Sequence, residues 1–318
     1  MSLPQIALLF PGQGSQKVGM GKDLAQLYPV ARHTFQEADD TLGFSISELC
    51  FEGPEEKLKL TEITQSALLT MSTVVARVLQ EKGIVPQYVA GHSLGEYSAH
   101  VAAGTLSFAD ALRAVHHRGQ YMQEAVPEGQ GAMAAILGMG LEEVRTVCAE
   151  AAQGEVVAPA NINSPDQIAI SGHKGAVERA AELAKARGAK RAIMLQVSAP
   201  FHCALMKPAQ DRLAEELRGL EFSDPEIPVI ANIDAEPKTS GAASREALIH
   251  QVTGAVLWSQ CVQKLIQLGT QLFVEAGAGK VLSGLMRQID RNQTATNVAD
   301  EDSLQKTMEL FESTKAAV

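Results

Sequence analysis

No two of the four cysteines, Cys50, Cys148, Cys203 and Cys261, stand close enough for a C-x-x-C pair. The chain therefore has neither zinc-ligand spacing nor a disulfide framework, and its thiols are read as reduced. Positive charge is also scarce: 27 Lys and Arg face 37 Asp and Glu, a formal net charge of −10. That balance excludes a nucleic-acid backbone as the main partner, because such binding rests on clustered cations. Long apolar runs are missing too. The start, Met1-Ser2-Leu3-Pro4-Gln5, has no basic segment, and Ile6 to Phe10 is far too short for a leader or a membrane span. A cytoplasmic, soluble protein with no membrane partner is the expectation. Neither an internal repeat nor a low-complexity tract appears.

The 318 residues, 46% apolar and 20% charged, are enough to bury a sizeable core as one large domain or two modest ones. Gln5 to Phe10 is continuously apolar and stops at Pro11-Gly12, as expected of a strand buried on both faces of a parallel sheet. A helix is predicted from about Thr64 to Glu81, then a strand at Tyr88 to Ala90, then a turn at Gly91 to Gly95 that opens another helix. The pattern changes after residue 131. Strands at Met133 to Leu137, Glu155 to Ala160, Gln167 to Ser171 and Arg191 to Val197 interleave with helices at Glu142 to Ala152 and Ala176 to Ala186. That β-α-β-β-α-β order is ferredoxin-like, and Gly129, Gly131 and Ser198-Ala199-Pro200 bound it. Buried strands resume at Pro228 to Ile233 and Gln271 to Glu275. The expectation is an α/β parallel-sheet domain formed by 1–128 and 199–318, with a ferredoxin-like subdomain, 129–198, inserted in it.

Gly91-His92-Ser93-Leu94-Gly95 is a G-x-S-x-G between a strand and a helix, the setting of a nucleophile elbow. The plainer alternative is that Ser93 only caps the helix. A serine nucleophile needs a base. His33, His116, His117 and His250 fall in predicted helices, His100 lies inside the helix after the elbow, His173 sits in a subdomain turn, and His92 suits packing or hydrogen bonding. His202 differs because it follows the breaker-rich return from the subdomain, and such crossings lie beside clefts. Arg118 shares a helical stripe with Ala111, Val115 and Met122, which places a permanent charge among apolar neighbours. It is either one half of an internal salt bridge or a fork for a substrate carboxylate. The glycine-rich turn at Pro11 to Gln16 fails the phosphate-loop patterns, since Lys17, Asp23 and Val281 stand where Gly or Ser/Thr is required. It follows a parallel strand, however, so the Gln13 amide is a candidate second oxyanion donor beside that of Leu94.

Several segments together resemble the malonyl-CoA:acyl-carrier-protein transacylases of bacterial fatty-acid synthesis. They are Leu9 to Gln16, Gly91 to Tyr97, His117-Arg118-Gly119, Asn161 to Pro165, Val197 to His202 and Glu275 to Leu282, with Ala278 where the family often has proline. The resemblance implies a hydrolase-like α/β domain carrying the inserted subdomain. It implies Ser93 as nucleophile, His202 as base, Arg118 as malonyl-carboxylate ligand and the Gln13 and Leu94 amides as oxyanion hole. The histidine would be oriented by the Gln251 carbonyl, giving a dyad with no acid member, no metal and no cofactor. Malonyl-CoA and acyl carrier protein would be the partners of a monomer, the carrier docking on Lys185, Arg187, Lys190 and Arg191 unless these form only a solvated face. Two rival readings are an esterase or thioesterase, which would need an acid partner for His202 and no buried arginine, and a carrier-binding protein that never forms an acyl-serine.

Overall fold

A computed structural model describes residues 4–317. Met1 to Leu3, part of the start read above as free of a leader, lie outside the described residues, as does Val318. Strand β1 (Ile6–Phe10) is buried throughout. Ile6, Leu8 and Phe10 join one apolar cluster while Ala7 and Leu9 join another, as period-two alternation across a two-sided sheet requires. The later strands are β2 (Tyr88–Gly91), β3 (Gly131–Leu137), β4 (Val157–Ser164), β5 (Gln167–His173), β6 (Arg191–Met194), β7 (Val229–Ile230), β8 (Pro237–Lys238), β9 (Leu272–Ala276) and β10 (Thr294–Val298).

Six strands form one sheet in the order β10-β9-β1-β2-β7-β8, parallel except for the β7–β8 pair. In the register of β1 with β2, Phe10 stands opposite Gly91. The loop after β1 and the turn after β2 therefore leave the sheet side by side, at the carboxyl edge where parallel sheets place their ligands. The other four strands form an antiparallel sheet, β4-β5-β3-β6, backed by helices Leu141–Ala152 and Lys174–Ala186 around a separate core that includes Ile136, Val144, Ile170 and Val177. β4 is tied to the main body through Val256, a residue outside both sheets, where Ile162 N donates to Val256 O (2.9 Å) and Val256 N to Ala160 O (2.8 Å).

Some boundaries differ from the sequence expectation, each for a local reason. The helix expected from Thr64 runs Thr61–Glu81, with the polar Thr61 and Thr64 of its first turn buried against the rest of the protein. Asn161 and Asn163 disguise the second half of β4, which continues to Ser164 through an irregular register with β5. β6 ends at Met194 rather than Val197, and the chain leaves the sheet edge with Leu195 N still donating to Met133 O (2.9 Å). β7 keeps only two residues because Ala231 begins a turn, with Ala235 N donating to Ala231 O (2.9 Å), and Asn232 is drawn into other contacts.

Helix Phe108–Glu124 starts on Ser107, whose Oγ accepts from Asp110 N (3.1 Å). It lies against helix Thr61–Glu81 so closely that a Cβ on Gly119 would stand 2.4 Å from Glu62 Cα. Backbone lies on both sides of that contact, so only glycine keeps the approach. Gly119→Val is expected to destabilise the protein by about 1–3 kcal/mol through overpacking, seen as a lower urea midpoint with an unchanged slope.

Candidate active site

Four non-glycine residues among those described have positive φ, and two of them are Ser93 (51°) and His202 (59°). Residues in this region are strained and persist where the surroundings hold them. Around Ser93 the cause is packing. A Cβ on Gly91 would fall 1.9 Å from the Gly95 carbonyl carbon, and one on Gly95 would fall 2.0 Å from Phe10 O. The flanking glycines are thus required by the tightness of the turn between β2 and helix Gly95–Ala102. Ser93 N donates to Asn232 Oδ1 (2.7 Å) and Asn232 Nδ2 donates to Gly91 O (2.7 Å), which ties the elbow to the turn after β7.

His202 comes from the chain's return out of the four-stranded sheet. Its Nε2 accepts from Ser93 Oγ (2.6 Å), and its Nδ1 donates to the Gln251 carbonyl (2.9 Å). A carbonyl can only accept, so it fixes the tautomer with Nε2 free to take a proton. Burial, and next the charge of Arg118, push the His202 pKa down to about 3, so the ring is neutral at physiological pH. Among the described residues no carboxylate stands as a third member of the pair; the Gln251 carbonyl occupies that place.

Arg118 is 1% exposed and makes no ion pair with a carboxylate among the described residues. Its Nη1 donates to Gln65 Oε1 (2.7 Å), its Nη2 to Gln251 Oε1 (3.0 Å) and to Ser93 Oγ (3.2 Å), and its guanidinium lies over the Tyr97 ring, 5.6 Å from the centroid. The internal salt bridge allowed by the sequence is absent. Neutral amides and an aromatic face hold the cation.

Ser93, His202 and Arg118 share a cavity of about 390 Å³ with Gln13, Leu94, Gln65, Met122 and Phe201. The backbone N–H groups of Gln13 and Leu94 have no intramolecular acceptor among the described residues. Leu195, Gln196 and Val197 line the same cavity. His92 Nε2 pairs with Asn163 Oδ1 (2.8 Å), the bonding role its position suggested. The cluster Lys185, Lys190 and Arg191 is exposed, whereas Arg187 pairs with Glu150 (2.5 Å). Among the described residues no group of three or more His, Cys, Asp or Glu could hold a metal ion, and no helix is long and apolar enough to cross a membrane.

Three contributors escaped the sequence reading: Gln65, Asn232 and Glu96. Each is a polar side chain inside a stretch that packs as core, and that mismatch was the available signal. Glu96 is fully buried in the first turn of the helix after the elbow, and burial pushes its pKa up to about 7.

The family model described as "Acyl transferase domain" matches residues 7–309. The chain is 49% identical over 309 residues to the malonyl CoA-acyl carrier protein transacylase of Escherichia coli (strain K12), covering 97% of this chain and 100% of that relative. To the enzyme of the same name in Bacillus subtilis (strain 168) it is 49% identical, covering 95% and 96%. An acyl carrier protein S-malonyltransferase from Vibrio cholerae superposes with a TM-score of 0.94 at 49% identity, over 95% of this chain and 99% of that one. A malonyl-transacylase solved in complex with a type II PKS acyl-carrier protein gives the same score and identity, over 96% and 99%.

The neutral, buried His202 has a consequence for stability. Its folded pKa lies below the ordinary 6.5, so the unfolded chain binds a proton that the folded one refuses as pH falls between those values. The contribution is complete above pH 6.5 and is lost on the way down to about 3. In a titration of unfolding free energy, wild type is expected to lose about 1.4 kcal/mol per pH unit more than His202→Asn across that window.

Proposed function

The chain belongs to the acyl transferase domain family and, within it, to the malonyl CoA-acyl carrier protein transacylases, and we propose that it loads malonyl from CoA onto Ser93 and passes it to a carrier thiol. The transferred unit feeds fatty-acid chain elongation. The observation that carries this reading is the buried, unpaired Arg118 aimed at Ser93 Oγ. A hydrolase has no use for such a cation, and it would want an acid behind His202 where a carbonyl stands.

Malonyl-CoA enters with its free carboxylate on the Arg118 fork, which sets the thioester carbonyl over Ser93. His202 Nε2 takes the Ser93 proton as Oγ attacks the carbonyl carbon. The negative charge that develops on the carbonyl oxygen is held by the Gln13 and Leu94 amides. The tetrahedral intermediate collapses with cleavage of the C–S bond, and the proton on His202 goes to the departing CoA sulfur. In the second half the carrier's pantetheine thiol gives its proton to His202, attacks the acyl-serine, and Ser93 leaves with the proton returned. The substrate carboxylate also offsets the Arg118 charge that depresses His202, so a carboxylated acyl group makes its own base stronger. Acetyl-CoA, without that carboxylate, leaves the base weak. No metal or cofactor has a step in this scheme.

The two sheets are assigned to a hydrolase-like domain (1–128 and 199–318) and an inserted ferredoxin-like subdomain (129–198), a reading supported by the β-α-β-β-α-β order and the strand order β4-β5-β3-β6. The protein acts as a cytoplasmic monomer in this reading. Carrier protein docks on Lys185, Lys190 and Arg191, with Arg187 occupied by Glu150. Support comes from the position of Arg191 at the start of β6, with Lys190 just before it, on the strand that leads into Leu195–Val197 at the cavity.

Intact-protein mass after brief exposure to malonyl-CoA is expected to show one malonyl adduct on wild type and none on Ser93→Ala. Arg118→Ala should load malonyl no faster than acetyl, and His202→Ala should slow loading by about 10²-fold or more. An acyl-indifferent adduct that hydrolyses within the assay would point to the hydrolase instead. For docking, Lys190→Glu with Arg191→Glu should raise KM for carrier protein several-fold while loading from malonyl-CoA stays at the wild-type rate; an unchanged KM would remove this surface from the proposal.

A further inference from the structure

Glu96 is 0% exposed, yet it neither lines the cavity nor pairs with a cation. Its Oε2 accepts from Gln251 Nε2 (2.7 Å) and from Asn232 N (3.1 Å), while Oε1 has no hydrogen-bond partner. A half-satisfied buried carboxylate is costly, and its retention calls for a reason. The reason lies in what its two partners hold. Gln251 donates from the same Nε2 to Ser93 O (2.8 Å) and accepts at Oε1 from Arg118 Nη2 (3.0 Å). Asn232 grips the elbow from the other side, at Ser93 N and Gly91 O.

We infer that Glu96 is a positioning residue for acyl selection: by fixing which end of the Gln251 amide faces Arg118, and by anchoring Asn232, it aims the guanidinium and the elbow at each other. An amide can sit in its pocket either way round. With Nε2 held on both Glu96 Oε2 and the Ser93 carbonyl, Oε1 is left facing Arg118. Reversed, the amide would set N–H against N–H at Arg118 and oxygen against oxygen at both Ser93 O and Glu96. Arg118 would then lose a fixed partner and with it the heading of its fork. The effect should fall on discrimination between acyl groups more than on the reaction common to them.

The inference rests on Arg118 acting as the carboxylate clamp, so wild type and Arg118→Ala are assayed beside the new variants. Loading rates from malonyl-CoA and acetyl-CoA are compared as a kcat/KM ratio for Glu96→Leu, Glu96→Asp and Glu96→Gln, with thermal midpoints recorded for each. Glu96→Leu removes the acceptor and Glu96→Asp withdraws it by one methylene, and both are expected to lower the malonyl-to-acetyl ratio by about tenfold, the worth of one hydrogen bond to a charged group. Glu96→Gln keeps an acceptor oxygen for the same donors and should return the ratio to within about twofold of wild type. If Glu96→Leu fails to fold, the Asp and Gln variants decide between them. Equal losses for both acyl groups, following the thermal midpoint with the ratio unchanged, would make Glu96 a structural residue only and overturn the inference while leaving the clamp standing. A wild type that does not prefer malonyl would sink both.

Discussion

A guanidinium enclosed in protein with no carboxylate in ion-pair contact among the described residues is the constraint around which this molecule is arranged. An unpaired charge at Arg118's depth costs on the order of several kcal/mol, and three groups make it tolerable: Gln65 on one long helix, Gln251 near the end of another, and the face of Tyr97. Each of these is itself fixed by the fold. Gly119 lets the arginine's helix approach the helix of Gln65 at backbone distance. Tyr97 rides on the helix that the elbow opens. The charge is therefore held by neutral partners, and it also reaches Ser93 Oγ, the hydroxyl already bonded to His202.

The same arrangement couples the two reacting groups to the arginine. Arg118 donates to Ser93 Oγ and, after burial, is the next cause that depresses the basicity of His202, so the site holds a neutral imidazole beside a cation that has no ion-pair partner among the described residues. A bound carboxylate alters both at once. In the proposed reading this links recognition to chemistry without a moving part, because the charge that would hold the substrate carboxylate adds to burial in lowering the basicity of His202.

Neither sheet contains the site by itself. The parallel sheet supplies the elbow and the loop of Gln13, because β1 and β2 run side by side and end together. The antiparallel sheet supplies a wall, since the chain leaving β6 passes Leu195, Gln196 and Val197 along the cavity before it delivers His202. Strained backbone at Ser93 and at His202 marks the two places where the chain is bent to meet from opposite sides.

Residues whose role follows from a local pattern were legible in the amino-acid order. The elbow was readable because a G-x-S-x-G between a strand and a helix has few conformations open to it. Arg118 was readable because helical phase sets a charge among apolar neighbours, and the β-α-β-β-α-β run was readable from periodicity. His202 was only a favourite among eight histidines until its 2.6 Å contact with Ser93 was seen. What the order of residues left open was every choice that depends on distant segments meeting. Whether Arg118 had a salt bridge depended on where helix Thr61–Glu81 and Gln251 would lie. The roles of Asn232 and Glu96 stayed out of reach because their partners lie more than a hundred positions away. Sequence fixes what a residue can donate, accept or hold as charge; only the tertiary structure, by spending burial energy to bring residues such as Gln251 and Ser93, 158 positions apart, into hydrogen-bond contact, decided which of those capacities is used.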